Sequence, residues 1–357
     1  MHPWYLQLLL ALSLVPVNLF FGVLPSAKQT PDPFAVTTKE DIAVCFADAM
    51  SDLTPSVELD ISQIEWQYGP EIDLKNVYYS ILSAEPELKY TYDMEVSLSE
   101  NGTAQCGFSY MPYRTGAYRG ILPAGCHTVG SLHDAKVMAQ SMIDGTERLP
   151  IAITDSTLAV DDIQRALSQA GYGWIHFQLN RDGTEIVASP SAGKTLEECA
   201  AAINESFQLA GNYLMEAITS EMTEREKIKA LYDVVTQNVA YDSRYYTDLS
   251  NMPYESRVAL GALRDHLAIC GGYAQAFETL LDMAGIENYT VSGTSSGEYH
   301  MWNYVILDGE GYYCDPTADR GGSDRHFMLT AEAFSAAGRY TWDQEFLPRM
   351  AASGEQK

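Results

Sequence analysis

The chain has 357 residues, enough for two domains with a core of ordinary size, and 46% hydrophobic with 20% charged residues marks it as globular. Its net charge of −26, from 48 acidic against 22 basic residues, repels phosphate backbones, and no Lys/Arg cluster offers a local exception. Nucleic acid is therefore excluded as a partner, and the acidity reads as a solubility device.

The first elements in chain order concern targeting. Residues 1–28 are apolar from about Trp4 to Leu24, with only His2 in place of a basic n-region. They read as a signal peptide cut near Ala27 or as an uncleaved membrane anchor, which predicts an exported protein, extracellular or held at the cell surface. Membrane contact is expected only through this segment, if it stays uncleaved.

Residues 29–192 read as an N-terminal α+β accessory domain. A helix stops before Pro86, and alternation at Tyr90, Tyr92, Met94, Val96 and Leu98 predicts a strand that turns at Asn101-Gly102. A second hairpin turns at Asp182-Gly183, and helical runs fall at Ala135–Ile143 and Val160–Ala170 between them. No internal repeat and no chemistry are legible in this region.

The composition shifts near residues 190–194, and 193–357 reads as a second domain. Thr195 with Glu198 makes a capping box ahead of a long helix over Leu196–Ile218. Thr223 with Glu226 repeats the signal, and Ile228, Leu231, Val235 and Val239 mark one helical face. A third helix opens at "CGG", with Tyr273, Ala274, Phe277, Leu281 and Ala284 as its buried stripe and Gly285 as its stop.

That opening carries the chemistry. A thiol at a helix N-terminus meets unpaired N–H groups and the positive end of the dipole, which favour thiolate. Gly271 and Gly272 would keep the approach open to a substrate carbonyl. Downstream, "HMWNYVILDGEGYYCDPT" reads as a hairpin turning at Asp308-Gly309. With a two-residue turn, Leu307 faces Glu310, Asp315 faces Trp302, and His300 lies on the same face, diagonal to Asp315. A thiol nucleophile needs an imidazole to take its proton and a carboxylate to orient that imidazole.

The other cysteines are Cys45, Cys106, Cys126, Cys199 and Cys314. Cys106 and Cys126 are close enough in sequence to be disulfide candidates in an exported chain. No C-x-x-C pair, no His clustered with cysteine and no calcium loop of the D-x-D-x-D-G type occurs, so neither a metal nor another cofactor is expected.

The three blocks "MTEREKIKALYDVVTQNVAYD", "ALGALRDHLAICGGYAQAFETLLDMAGI" and "HMWNYVILDGEGYYCDPT" together resemble the transglutaminase-like superfamily, nearest in look to its bacterial exported members. The resemblance covers about residues 195–330. It implies an α+β fold with a papain-like core, a cysteine-bearing helix packed on an antiparallel sheet, and Cys270, His300 and Asp315 as the catalytic triad. It also matches Tyr241-Asp242 to an upstream block, so that Tyr241 and the Cys270 N–H would stabilise the oxyanion. Gly271, where many relatives carry a polar side chain, and Met301, where alanine is common before the tryptophan, depart from the pattern; with Gly272 and Trp302 they fall where a substrate groove is expected.

Two functional classes follow. One is an exported acyl-transfer enzyme of transglutaminase, amidase or peptidase type, acting through a Cys270 thioester on protein amides or on a cell-wall peptide. The other is a catalytically silent binding or scaffold module that keeps the fold at the cell surface.

Overall fold

The computed structural model describes residues 34–118 and 121–354, so the expected signal or anchor lies outside the described residues. Among the described residues no helix is long and apolar enough to cross a membrane. The chain begins with β1 (Phe34–Ala35), α1 (Lys39–Ser51), β2 (Ser56–Asp60), α2 (Pro70–Ala84), β3 (Thr91–Leu98) and β4 (Thr103–Tyr110). A capping box between Thr38 and Asp41 starts α1, and Gly102 at φ 82° makes the expected turn between β3 and β4. A single turn, α3 (Pro112–Thr115), leads away.

The next stretch repeats that topology. It runs through β5 (His127–Val129), α4 (Leu132–Gln140), β6 (Arg148–Ile153), α5 (Val160–Ser168), β7 (Ile175–Leu179) and β8 (Glu185–Pro190). The two sheets have the orders β1-β2-β4-β3 and β5-β6-β8-β7. In each, the first pair is parallel and the others antiparallel. Ser131 caps α4 onto Asp134 as Thr38 caps α1 onto Asp41. The expectation of no internal repeat is thus corrected: the accessory region holds two units of one design. Their strand lengths and side chains have diverged, so only pairing reveals the repeat.

The remainder builds around one helix. In order come α6 (Leu196–Ala217), α7 (Glu224–Asn238), β9 (Ala240–Tyr241), α8 (Arg244–Thr247), α9 (Ala259–Asp265), β10 (Leu267–Ala268) and α10 (Cys270–Met283). Both expected capping boxes are present, and Gly285 at φ 73° follows the end of α10. Next come β11 (Asn288–Ser295), β12 (Glu298–Leu307), β13 (Glu310–Cys314), α11 (Ala331–Gly338), β14 (Tyr340–Thr341) and α12 (Phe346–Gly354). Strands form an antiparallel sheet in the order β13-β12-β11-β14. Every residue of α10 from Gly271 to Leu281 is buried, because α6, α7 and α9 cover one side and β11 and β12 the other. A helix enclosed all round has no polar face to spare.

The second repeat docks directly on α10. Tyr172 Oη donates to Asp282 Oδ2 at 2.7 Å, and Tyr254 Oη donates to the Gly173 carbonyl. Gly173, at φ 74°, admits this approach: a Cβ there would lie 2.7 Å from Gln275 Nε2 and from Val258 Cγ1. Lys136 of α4 is buried beside the same seam, 4.8 Å from the Tyr289 ring centroid, donating to the Asn288 carbonyl at 3.4 Å. The C-terminus returns to the second repeat, where α12 packs on α4 and buries Phe346, Leu347 and Met350. Arg349 reaches Asp162 at 3.3 Å, and Arg165 pairs with Asp343.

All six cysteines are free. The Cys106–Cys126 bridge is therefore corrected. Cys106 points into the core beneath α1, whereas Cys126 lies half-buried on a loop and donates to the Pro123 carbonyl at 2.9 Å.

Candidate functional site

Cys270 is the first residue of α10, and the preceding Ile269 is extended (φ −97°, ψ −178°) with no side-chain cap. The Ile269 N–H donates to the Ser256 carbonyl at 2.8 Å, which fixes the entry angle. The first N–H groups of a helix have no acceptor within it, so those at Cys270 face the thiol's surroundings. Parallel pairing of β10 with β9, Ala268 opposite Tyr241, brings Tyr241 to the same entry.

His300 is delivered by the hairpin. Asp308 (φ 54°) and Gly309 (φ 76°) form the two-residue turn, Leu307 pairs with Glu310, and the ladder closes at Asn303 opposite Cys314. Asp315 follows directly, and His300 Nε2 lies 2.7 Å from its Oδ2. Since Nε2 is taken, Nδ1 is the ring nitrogen left for Cys270, whose field also acts on the ring. Burial opposes charge on this imidazole. The hydrogen bond to Asp315 and then the influence of Cys270 outweigh it, and raise His300 from 6.5 to about 10. Asn303, fully buried, donates from Nδ2 to the Ala274 carbonyl at 2.8 Å and so locks the histidine strand to the cysteine helix.

Asp315 is 0% exposed and has no unused acceptor direction. Its Oδ2 also accepts from Tyr340 Oη at 2.7 Å, and its Oδ1 accepts from the N–H groups of Thr317 (2.9 Å) and Ala318 (3.0 Å). Behind it, Tyr232 Oη donates to the Asp315 carbonyl at 2.9 Å and to Asp319 Oδ2 at 2.8 Å. Asp319 also accepts from the N–H of His326 at 2.7 Å and pairs with its ring at 3.0 Å. The loop after Asp315 is cinched at both ends. Tyr340 had no signal in the sequence. The Asp-Pro-Thr run did carry one, because Asp before such a run accepts backbone N–H groups two and three residues on.

Tyr241 stands beside the pair. Its ring stacks on Tyr246 (centroids 6.0 Å, 21°), and burial, a hydrogen bond with Tyr246 and the field of Cys270 push its hydroxyl well above the ordinary tyrosine value. It is a neutral donor. Asp242, by contrast, is structural: it accepts three bonds from Arg244, one of them from its backbone N–H, and one from Ser256 Oγ.

Three expected groove residues lie elsewhere. Gly271 and Gly272 are buried against the segment before α9, where a Cβ would meet the Arg257 carbonyl at 2.7 Å or the Ser256 carbonyl at 2.8 Å. Their role is close packing of the helix, not access for substrate. Trp302 is 0% exposed and sits beneath His300 (centroids 5.9 Å), packed on Phe334, Tyr340 and Trp342. Alternation gave its face correctly, but α11 and β14 cover that face. Among the described residues, no group of three or more His, Cys, Asp or Glu side chains is placed to hold a metal ion.

A thiol at a buried helix's N-terminus, facing an imidazole held by a carboxylate on the packed sheet, is the arrangement of thiol-dependent acyl-transfer proteins. Residues 212–315 match the family model of the transglutaminase-like superfamily, and this part of the chain belongs to that superfamily. The Kyphoscoliosis peptidase of Homo sapiens is 28% identical over 126 residues, 32% of this chain and 18% of that protein. Its Mus musculus counterpart is 27% identical over the same shares. The chain thus spans less than a fifth of the length of these curated relatives. A solved structure described as a TGase is similar at 18% identity, 48% of this chain, 51% of that one and a TM-score of 0.29. The periplasmic domain of TgpA from Pseudomonas aeruginosa, bound to ethylmercury, is similar at 16% identity, 40% and 63% coverage and a TM-score of 0.26. Both similarities are distant and confined to less than half of this chain.

Proposed function

We propose that the chain is an exported thiol-dependent acyl-transfer enzyme that attacks protein or cell-wall peptide amides through Cys270. The observation that carries this reading is the His300 ring, held through Nε2 by the buried Asp315 carboxylate in the field of the Cys270 thiol. His300 takes the thiol proton, and the sulfur adds to the amide carbonyl carbon. The Cys270 N–H and Tyr241 Oη meet the developing oxyanion. His300 then protonates the leaving nitrogen, the C–N bond breaks, and a thioester remains on Cys270. Water or an amine, deprotonated by His300, resolves it to acid or to new amide. The name of the mammalian relatives favours a peptide substrate. Export rests on the apolar run from Trp4 to Leu24.

The test is alkylation of Cys270 by iodoacetamide at pH 6 and pH 9, located by peptide mass spectrometry. A proton held on His300 predicts rapid labelling already at pH 6, slowed at least tenfold in His300→Ala. Labelling that rises only near the ordinary thiol range of about 8.5, alike in both proteins, would instead make the domain a silent binding module.

A further inference from the structure

Beside His300 lies a cavity of about 260 Å³ whose walls include Tyr241, Tyr246, Thr317, Arg320 and Tyr340. Water occupies about 30 Å³ in the liquid, so the space suits one short side chain. Its chemistry is uneven. The Arg320 guanidinium stands 5.6 Å from the Tyr241 ring centroid and spends one donor, from Nη1, on the Thr317 carbonyl at 2.9 Å. Among the described residues it has no carboxylate partner, unlike nearby Arg244, which Asp242 grips with both oxygens at 2.9 Å. A guanidinium has five N–H donors, and most of these remain unspent.

Thr317 lines the cavity with its hydroxyl sealed from it: the residue is 3% exposed, and its N–H is committed to Asp315. Asp315 is the one acidic residue on the cavity wall, and four donors already engage its oxygens. A chain of net charge −26 turns anions away from most of its surface. Here it presents a cation and an aromatic wall instead.

We propose that Arg320 forms a carboxylate-binding subsite beside His300, so that the acyl transfer proposed above favours a substrate with a carboxylate next to the attacked carbon. The guanidinium takes the carboxylate side-on, and Tyr241 flanks it.

Two reagents of nearly equal size separate this from the underlying reactivity. Iodoacetate carries the carboxylate next to the reacting carbon, and iodoacetamide carries a neutral amide there. The full chain is labelled with each at about 0.15 M salt, where remote charges are screened. The rate ratio of iodoacetate to iodoacetamide at Cys270 is expected to fall about tenfold in Arg320→Gln. Arg148→Gln, which removes the same charge on a distant strand, is expected to leave the ratio at its wild-type value. An unchanged ratio in Arg320→Gln, with Cys270 reactive to iodoacetamide, overturns the subsite and leaves the thiol enzyme standing. A Cys270 inert to both reagents overturns both.

Discussion

A carboxylate sealed from water must find all its partners in the protein, and Asp315 finds four. Two come from the Asp-Pro-Thr-Ala turn and one from the facing strand, so local reading could place Asp315 against His300. The fourth, Tyr340, is 25 residues downstream, with no spacing or pattern to join it to the pair. Short-range geometry is written in sequence; a contact closed by a later element is not. Tyr340→Phe keeps the ring, which stacks on Phe334 at 4.0 Å, and removes only the donor. Hydrogen bonds to charged groups are worth about 1.5–3 kcal/mol, and urea unfolding of this variant should show a loss in that range. Iodoacetamide labelling of Cys270 at pH 6 should slow severalfold at the same time, because the carboxylate that orients His300 is then free to turn. Unaltered labelling would mean that the Thr317 and Ala318 N–H groups alone hold Asp315 in place.

The element that organises the site is α10. Its start and stop were legible, since Gly285 marks the end and the apolar stripe marks a helix. What pattern reading could not supply was depth: residues on every side of α10 are buried, so the helix has no solvent face by which to rank its positions. For that reason "CGG" reads in sequence as an opening for substrate, whereas its glycines let the helix back onto residues 256–258. Gly272→Ala would put a methyl group 2.8 Å from both Ala268 Cβ and the Ser256 carbonyl. Overpacking of this kind costs roughly 1–3 kcal/mol, measurable as a lower urea midpoint with the m-value unchanged. A variant as stable as wild type would show that this packing has slack and return Gly272 to the groove.

At the scale of the whole molecule, the α+β class follows from element types and the cysteine-helix-on-sheet arrangement from the family resemblance, but the doubled unit of the accessory region is a matter of strand order, to which side-chain periodicity is blind. Nor does periodicity show that the second unit brings Lys136 to Glu278 and Asp282 on α10. Burial holds both carboxyl groups above their ordinary range, and the field of Lys136 counters it. An acid whose folded pKa exceeds its unfolded one stabilises the fold below the unfolded value and loses that contribution as pH rises toward the folded one. Here the loss begins above the ordinary values of 4.5 for Glu278 and 3.8 for Asp282. Lys136→Met removes the countering charge, so it should destabilise by roughly 3 kcal/mol or more at pH 8 and by distinctly less at pH 5. Urea titrations at the two pH values read the difference; an equal loss at both would mean that Lys136 acts through packing on Tyr289 alone.

The return of the C-terminus has a consequence for biosynthesis. Chains emerge from the ribosome N-terminus first, at about 5–20 residues per second. The first repeat can close early, but the second waits for α12, whose Phe346, Leu347 and Met350 complete its core. Asp315 likewise waits for Tyr340. A nascent chain therefore exposes Cys270 for some seconds before Tyr340 emerges and reaches Asp315, the partner of His300.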